Sequence, residues 1–277
     1  MALFALFRAF AVPRSPAQAD LLEQNEKKEA FVRRAFTTGY GFMYRGRNWA
    51  YVYDGDDNNT LFGKIGRSID DSTHAPPDRK FEELSFERWE VAPIFLSLND
   101  GEDIQKLAIG FDPKVRPSAG LLAAWADEIN KTHHKSVWAI EINPIVEQAS
   151  FWKAYRENRS KITEAEFIFI VPNPLGFHEE TAAKLRELRD EEGAQQVGVD
   201  LKAAPGQLKL DTTRIKYWVD YILDGAGRLI LRGGQRSYFD SSKDETKKVE
   251  VKTVNDMGVQ VARREILTVL FRDFESD

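Results

Sequence analysis

Residues 42–66, FMYRGRNWAYVYDGDDNNTLFGKIG, decide how the rest of the chain is read. Three runs of strand formers, Phe42-Met43-Tyr44, Trp49–Tyr53 and Thr60–Ile65, alternate with two groups of turn formers, Arg45-Gly46-Arg47-Asn48 and Asp54–Asn59. Aromatic and β-branched residues bounded by Gly, Asn and Asp predict strands joined by tight turns. The stretch therefore reads as a three-stranded antiparallel meander.

Upstream, Met1–Val12 (MALFALFRAFAV) is apolar but is interrupted by Arg8, and nothing charged precedes the run. A secretory leader needs a positive start and a small-residue cleavage site. Leu3, Ala5 and Phe7 alternate, so the segment reads as a buried first strand and the protein as cytoplasmic. Ser15 and Pro16 suit an N-cap and N1 position, predicting a helix to about Ala35 that Gly39 and Gly41 end.

Downstream of the meander, residues 67–85 are polar and carry Pro76-Pro77, which reads as a long loop. Phe86–Leu98 reads as a strand whose Pro93 marks a bulge or an edge. Asn99-Asp100-Gly101 reads as a hairpin turn before a returning strand at Gln105–Phe111. After a soft boundary at Asp112–Arg116 the pattern becomes alternating helices and strands. Ser118 caps a helix to about Lys131; Val137–Ile142 is a strand; Pro144–Asn158 is helical; Glu166–Val171 is a strand. His178–Glu192 is a charged helix, Val197–Leu201 a weak strand and Thr212–Leu223 a helix. Arg228–Arg232 and Lys248–Val254 read as strands paired around a polar loop, and Gly258–Phe274 as a closing helix. The class is α+β: residues 1–112 form an N-terminal, mostly antiparallel β-meander part with a helix, and residues 113–277 a C-terminal mixed α/β part.

Composition excludes several functions. Hydrophobic residues make up 42% and charged residues 30%, too apolar for a disordered chain. The absence of cysteine excludes disulfides, a thiolate nucleophile and Cys-ligated metal. No apolar run is long enough to span a bilayer as a helix. There is no phosphate-binding glycine loop, no nucleophile elbow and no metal-binding histidine pair, so no cofactor or metal is expected. Of the four histidines, His178 opens a helix beside Glu179 and Glu180, and His133-His134 close one beside Lys131 and Lys135, as ordinary helix-end charge placement.

One arrangement has the chemistry of a Mg²⁺-dependent nuclease of the restriction type. Glu250-Val251-Lys252 puts a carboxylate and an ammonium on one strand face, with Asp240 or Asp244 upstream. The plainer alternative is a solvated edge strand of alternating charge.

Charge is also segregated along the chain. Net charge is −5, from 39 Lys and Arg against 44 Asp and Glu. Yet Phe31–Tyr53 holds four arginines and no acid, interleaved with Tyr40, Phe42, Tyr44, Trp49, Tyr51 and Tyr53, and Lys64 and Arg67 continue the same sign. Residues 228–252 hold seven cations against four acids, including Arg232-Gly233-Gly234-Gln235-Arg236, whose glycines would let guanidinium groups approach phosphates. Residues 178–192 reverse the balance, six acids against three bases. Phosphate binding requires clustered cations, not a basic total. Arg45, Arg47, Lys64 and Arg67 on the meander, and Arg232 and Arg236 on the glycine turn, are the candidate phosphate contacts. Tyr44 or Trp49 could stack on bases, although Trp49 suits a core.

The meander YRGRNWAYVYDGDDNNTLFGKIGRSID, the following FERWEVAPIFLSLNDGEDIQKLAIGFDP segment and the later VDYILDGAGRLILRGGQ resemble, in order and hydrophobic pattern, the RexA-like phage-exclusion proteins and related uncharacterised bacterial defence-island families. The resemblance implies a cytoplasmic homodimer that binds double-stranded DNA without sequence preference and signals to a separate effector protein. It carries over no catalytic residues. The leading expectation is thus a non-enzymatic antiphage sensor that binds nucleic acid. The alternatives are the nuclease and a protein-interaction module that touches no nucleic acid.

Overall fold

The computed structural model describes residues 2–14, 26–57, 59–98, 105–170, 187–188, 191–192, 194, 196–243, 246–251 and 270. In chain order the first sheet is built from β1 (Ala2–Pro13), β2 (Tyr40–Tyr44), β3 (Arg47–Asp57), β4 (Thr60–His74), β5 (Glu83–Ser97), β6 (Gln105–Gly110) and β7 (Trp138–Pro144). The second is built from β8 (Glu164–Ile170), β9 (Gln196–Lys202), β10 (Gly227–Gly233) and β11 (Arg236–Asp240). β12 (Lys248–Val251) returns to the first. Packed on them among the described residues are the helices α1 (Lys28–Thr37), α2 (Ala119–Thr132), α3 (Gln148–Asn158) and α4 (Thr213–Tyr221). This is a mixed α+β molecule dominated by antiparallel strands.

β1 is buried along most of its length because it is central. It pairs antiparallel with β6 on one side and with β12 and then β7 on the other. Both its faces are covered, which explains a near-continuous apolar sequence. Ala5, Phe7, Ala9 and Ala11 enter one hydrophobic cluster, Phe10 and Val12 a second, and Phe4 and Leu6 a third. Arg8 lies between Leu6 and Phe10 on the same face, 6% exposed, and is ion-paired with Asp224 beyond α4. A buried guanidinium needs that partner.

The order of the first sheet is β12-β1-β6-β5-β4-β3-β2, with β7 also on β1. Its inner face (Tyr51, Ile65, Ala92, Ile94, Leu107) packs on Phe31, Val32 and Phe36 of α1 and on Leu121, Leu122 and Trp125 of α2. Trp125 lies 4.6 Å from the ring of Tyr51 and 5.4 Å from that of Phe36, centroid to centroid. This cluster draws on residues from both sides of Asp112–Arg116. The second sheet, in order β11-β10-β8-β9, packs its Phe167, Phe169, Leu229 and Leu231 on α3 and α4.

The meander is present as β2, β3 and β4, and Ser118 caps α2 by accepting a hydrogen bond from the Leu121 amide at 3.2 Å. Other expectations change. Residues 67–85 are not a long loop: β4 continues to His74 and β5 begins at Glu83, making one long hairpin. β12 does not pair with β10, whose partners are β8 and β11; it pairs with β1. Pro93 sits inside β5, where it would oppose Gly110 at the end of β6, so its missing N–H breaks no ladder. The described first helix begins at Lys28. The predicted turn at 99–101, most of the predicted helix 178–192 and the closing helix 258–274, except for buried Leu270, lie outside the described residues.

Candidate functional site

The turn between β2 and β3 consists of Arg45 and Gly46, both with positive φ (50° and 71°). That is the two-residue hairpin geometry favoured by strand twist, and glycine supplies it without strain. Arg45 and Arg47 are exposed at this turn, and the Arg45 guanidinium lies 5.2 Å from the Tyr44 ring centroid. The two arginines make no ion pair with any carboxylate among the described residues. Trp49 is buried in the inner core.

Three of the other four candidate cations are ion-paired. Lys64 lies 3.4 Å from Asp54. Arg67 faces Glu90 directly across β4 and β5 and donates two hydrogen bonds to it, at 3.1 and 2.8 Å. Arg232 faces Glu164 across β10 and β8 and lies 3.3 Å from it and 2.7 Å from Glu166. Arg236 is exposed, with its guanidinium 5.2 Å from the Tyr238 ring centroid. Gly233 serves packing, not mobility: a Cβ there would overlap the Lys161 carbonyl oxygen. The six cations are split between the two sheets.

The nuclease residues are likewise separated. Asp240 ends β11 in the second sheet, whereas Glu250 lies on β12 in the first, and Lys252 is outside the described residues. Asp240 accepts hydrogen bonds from Arg228 at 3.0 and 2.7 Å and from the Ser242 hydroxyl at 2.7 Å. Burial alone would raise its carboxyl, but Arg228 and Ser242 outweigh burial and hold it far below the usual carboxylate range. Among the described residues, no group of three His, Asp or Glu side chains could hold a metal ion.

His133 was expected to supply positive charge at a helix end; instead it is buried as a neutral node. Arg34 donates to its Nδ1 at 2.9 Å, so its Nε2–H is left to donate to the Tyr40 hydroxyl at 2.8 Å, which donates onward to the Ala35 carbonyl at 2.6 Å. Burial, then the adjacent Arg34, lowers the His133 pKa. This network ties α1 to α2 and to β2.

What stands out is the hairpin that sequence reading took for a loop. β3 covers β4 only as far as Arg67, and β6 covers β5 only from Ile94 to Ser97. Beyond them, Ser68–His74 and Glu83–Trp89 form a two-stranded ribbon closed by a 3₁₀ turn, Pro77–Arg79. At its tip Lys80 and Phe81 both have positive φ, and Phe81 is exposed. The inner face of the ribbon is saturated with ion pairs: Arg88 lies 2.5 Å from Asp71 and 3.5 Å from Glu90, which also holds Arg67.

The outer face differs. Met43 (60% exposed), Val52 (58%), Val91 (55%) and Trp89 (44%) lie on one side of four adjacent strands. Where β3 begins, a cleft of about 580 Å³ is lined by Met43, Arg47, Asn48, Ser68, Asp70 and Glu87, among others. Asp70 and Glu87 are directly opposite in register, and neither forms an ion pair among the described residues.

No protein-family model, curated protein or solved structure matches the chain. The outer face of the β2–β5 end is the candidate site on its geometry alone. It was invisible in sequence because residues 68–90 lack alternation. The usable signal was their excess of acid, seven against three bases, combined with Phe81, Phe86 and Trp89.

Proposed function

We propose that this protein is a non-enzymatic protein-binding module whose recognition surface is the outer face of β2–β5. The observation that carries this reading is the set Met43, Val52, Trp89 and Val91, large apolar side chains exposed on one continuous sheet face. Singly exposed apolar residues are ordinary; several on one face mark an interaction surface. Aromatic anchors such as Trp89 carry disproportionate binding energy when they fill a partner's pocket.

A second reading keeps the sequence-independent duplex-DNA sensor, with the antiphage role, homodimer and separate effector that the RexA-like resemblance implies. Its support is that Arg45, Arg47 and Arg236 are exposed and carry no ion pair to a described carboxylate. The neutralisation of Lys64, Arg67 and Arg232 leaves fewer cations for phosphate than the sequence suggested.

Salt-titrated binding to duplex DNA, single-stranded DNA and RNA in parallel separates the two. The protein-binding reading expects no affinity for any of them above the non-specific range, about 10⁻⁴ M or weaker. Tighter binding with a steep salt slope, abolished by Arg45→Glu with Arg47→Glu, would establish the DNA reading instead.

A further inference from the structure

We infer that the cleft between the β2–β3 turn and the β4–β5 ribbon takes a cationic side chain from a basic, partly apolar segment of another protein. The inference rests on the protein-binding reading above and names the partner's chemistry. Two carboxylates directly opposite on neighbouring strands repel one another, and cross-strand neighbours of this kind sit only about 5 Å apart. On the opposite face of the same two strands the charges are matched: Arg67 meets Glu90, and Arg88 meets Asp71. Asp70 and Glu87 alone face each other without a cation in ion-pair range among the described residues. They do so inside a cleft that Met43 and Ser68 also line, and exposed Trp89 is directly opposite Ser68 in register.

A lysine or arginine entering the cleft removes the repulsion and gains two charge-assisted hydrogen bonds. The face of Trp89 offers it a cation–π contact. Residues flanking that cation in an extended segment would place apolar side chains on Val91 and Val52. Residues 68–90 carry seven acids and three bases, so the surrounding field favours a basic partner and repels phosphate. Arg47, on the wall of the same cleft, sets the requirement that the incoming group reach past it.

The test measures fluorescence anisotropy of the full chain with a labelled peptide of alternating Lys and Leu, and with an alternating Glu–Leu peptide of equal length. Only the Lys–Leu peptide should bind. Asp70→Asn with Glu87→Gln should weaken it about tenfold, equivalent to about 1.4 kcal/mol. Trp89→Ser should weaken it as well, and Arg47→Ser should tighten it. Glu191→Gln with Glu192→Gln, a control of equal charge on exposed acids elsewhere, should change it less than twofold. Amide exchange in Gln105–Gly110 confirms that each variant is folded.

If the Asp70/Glu87 variant binds like the wild type, the cleft assignment falls while the protein-binding reading stands. If the control variant loses as much, binding is bulk charge attraction and the assignment also falls. If the unliganded protein is a dimer that the Asp70/Glu87 variant dissociates, the face joins two copies and the assignment falls. If neither peptide binds and duplex DNA does, both this inference and the reading beneath it fall.

Discussion

Asp70 and Glu87 occupy the same cross-strand position on a ribbon whose other face carries the Arg88–Asp71 ion pair. On the opposite face Arg88 meets Asp71 and shares Glu90 with Arg67. An arrangement that costs local stability and exposes apolar surface belongs to the small class of features that folding alone does not explain.

That cost is measurable without any ligand. Asp70→Lys converts the repulsive pair into an attractive one and should stabilise the ribbon by roughly 0.2–1 kcal/mol. The readout is amide hydrogen exchange in Ser68–His74 and Glu83–Trp89, which should slow by up to roughly fivefold. Exchange that speeds up or does not change would show that the two carboxylates are not in repulsive opposition.

The neutral state of His133 gives a pH dependence of defined sign. Its folded pKa is lowered, by burial first and Arg34 second, with Glu26 opposing. The unfolded chain therefore binds a proton more readily, and stability should fall as pH drops through the ordinary histidine value, about 6.5. Thermal denaturation between about pH 7.5 and 5 should show this loss in the wild type. His133→Gln should be less stable at neutral pH and much flatter across that window.

Asp240 acts at lower pH and with the carboxylate sign. Its folded pKa is depressed, so its contribution is complete above the unfolded value of about 3.9 and is lost as pH falls toward the folded one. Asp240→Asn should cost about 1–2 kcal/mol at pH 7, a range reduced because Arg228 is partly exposed. Chemical denaturation at pH 7 and pH 3 checks it: the gap between wild type and variant should be smaller at pH 3 than at pH 7.

Two glycines of the second sheet should respond differently to the same change. A Cβ on Gly227 would overlap the Ile168 carbonyl oxygen of β8, so Gly227→Ala should destabilise by roughly 1–3 kcal/mol. Gly198, on edge strand β9, has open space where its Cβ would lie, and Gly198→Ala should fall within about 0.5 kcal/mol of wild type. Urea denaturation of the two variants side by side is sufficient.

Legibility followed burial. β1 and the meander were readable because one or both faces are covered, which writes period-two or continuous apolar patterns into the sequence. Ser118 was readable because capping is a local interaction. Residues 67–85 were misread because a ribbon covered on neither face has no alternation to show. β12 was misassigned because its partner, β1, lies more than two hundred residues away in sequence. The cations were visible, but their neutralisation was not. Arg67–Glu90 and Arg232–Glu164 are set by strand register, which composition does not encode.

The most direct measurement of the central claim is amide hydrogen exchange of the wild-type protein with and without the Lys–Leu peptide, near physiological salt. The account predicts slowed exchange confined to Met43–Asn48, Arg67–Asp70 and Glu87–Val91, with the second sheet unchanged. Protection at the β10–β11 turn, or none on the ribbon despite binding, would contradict it.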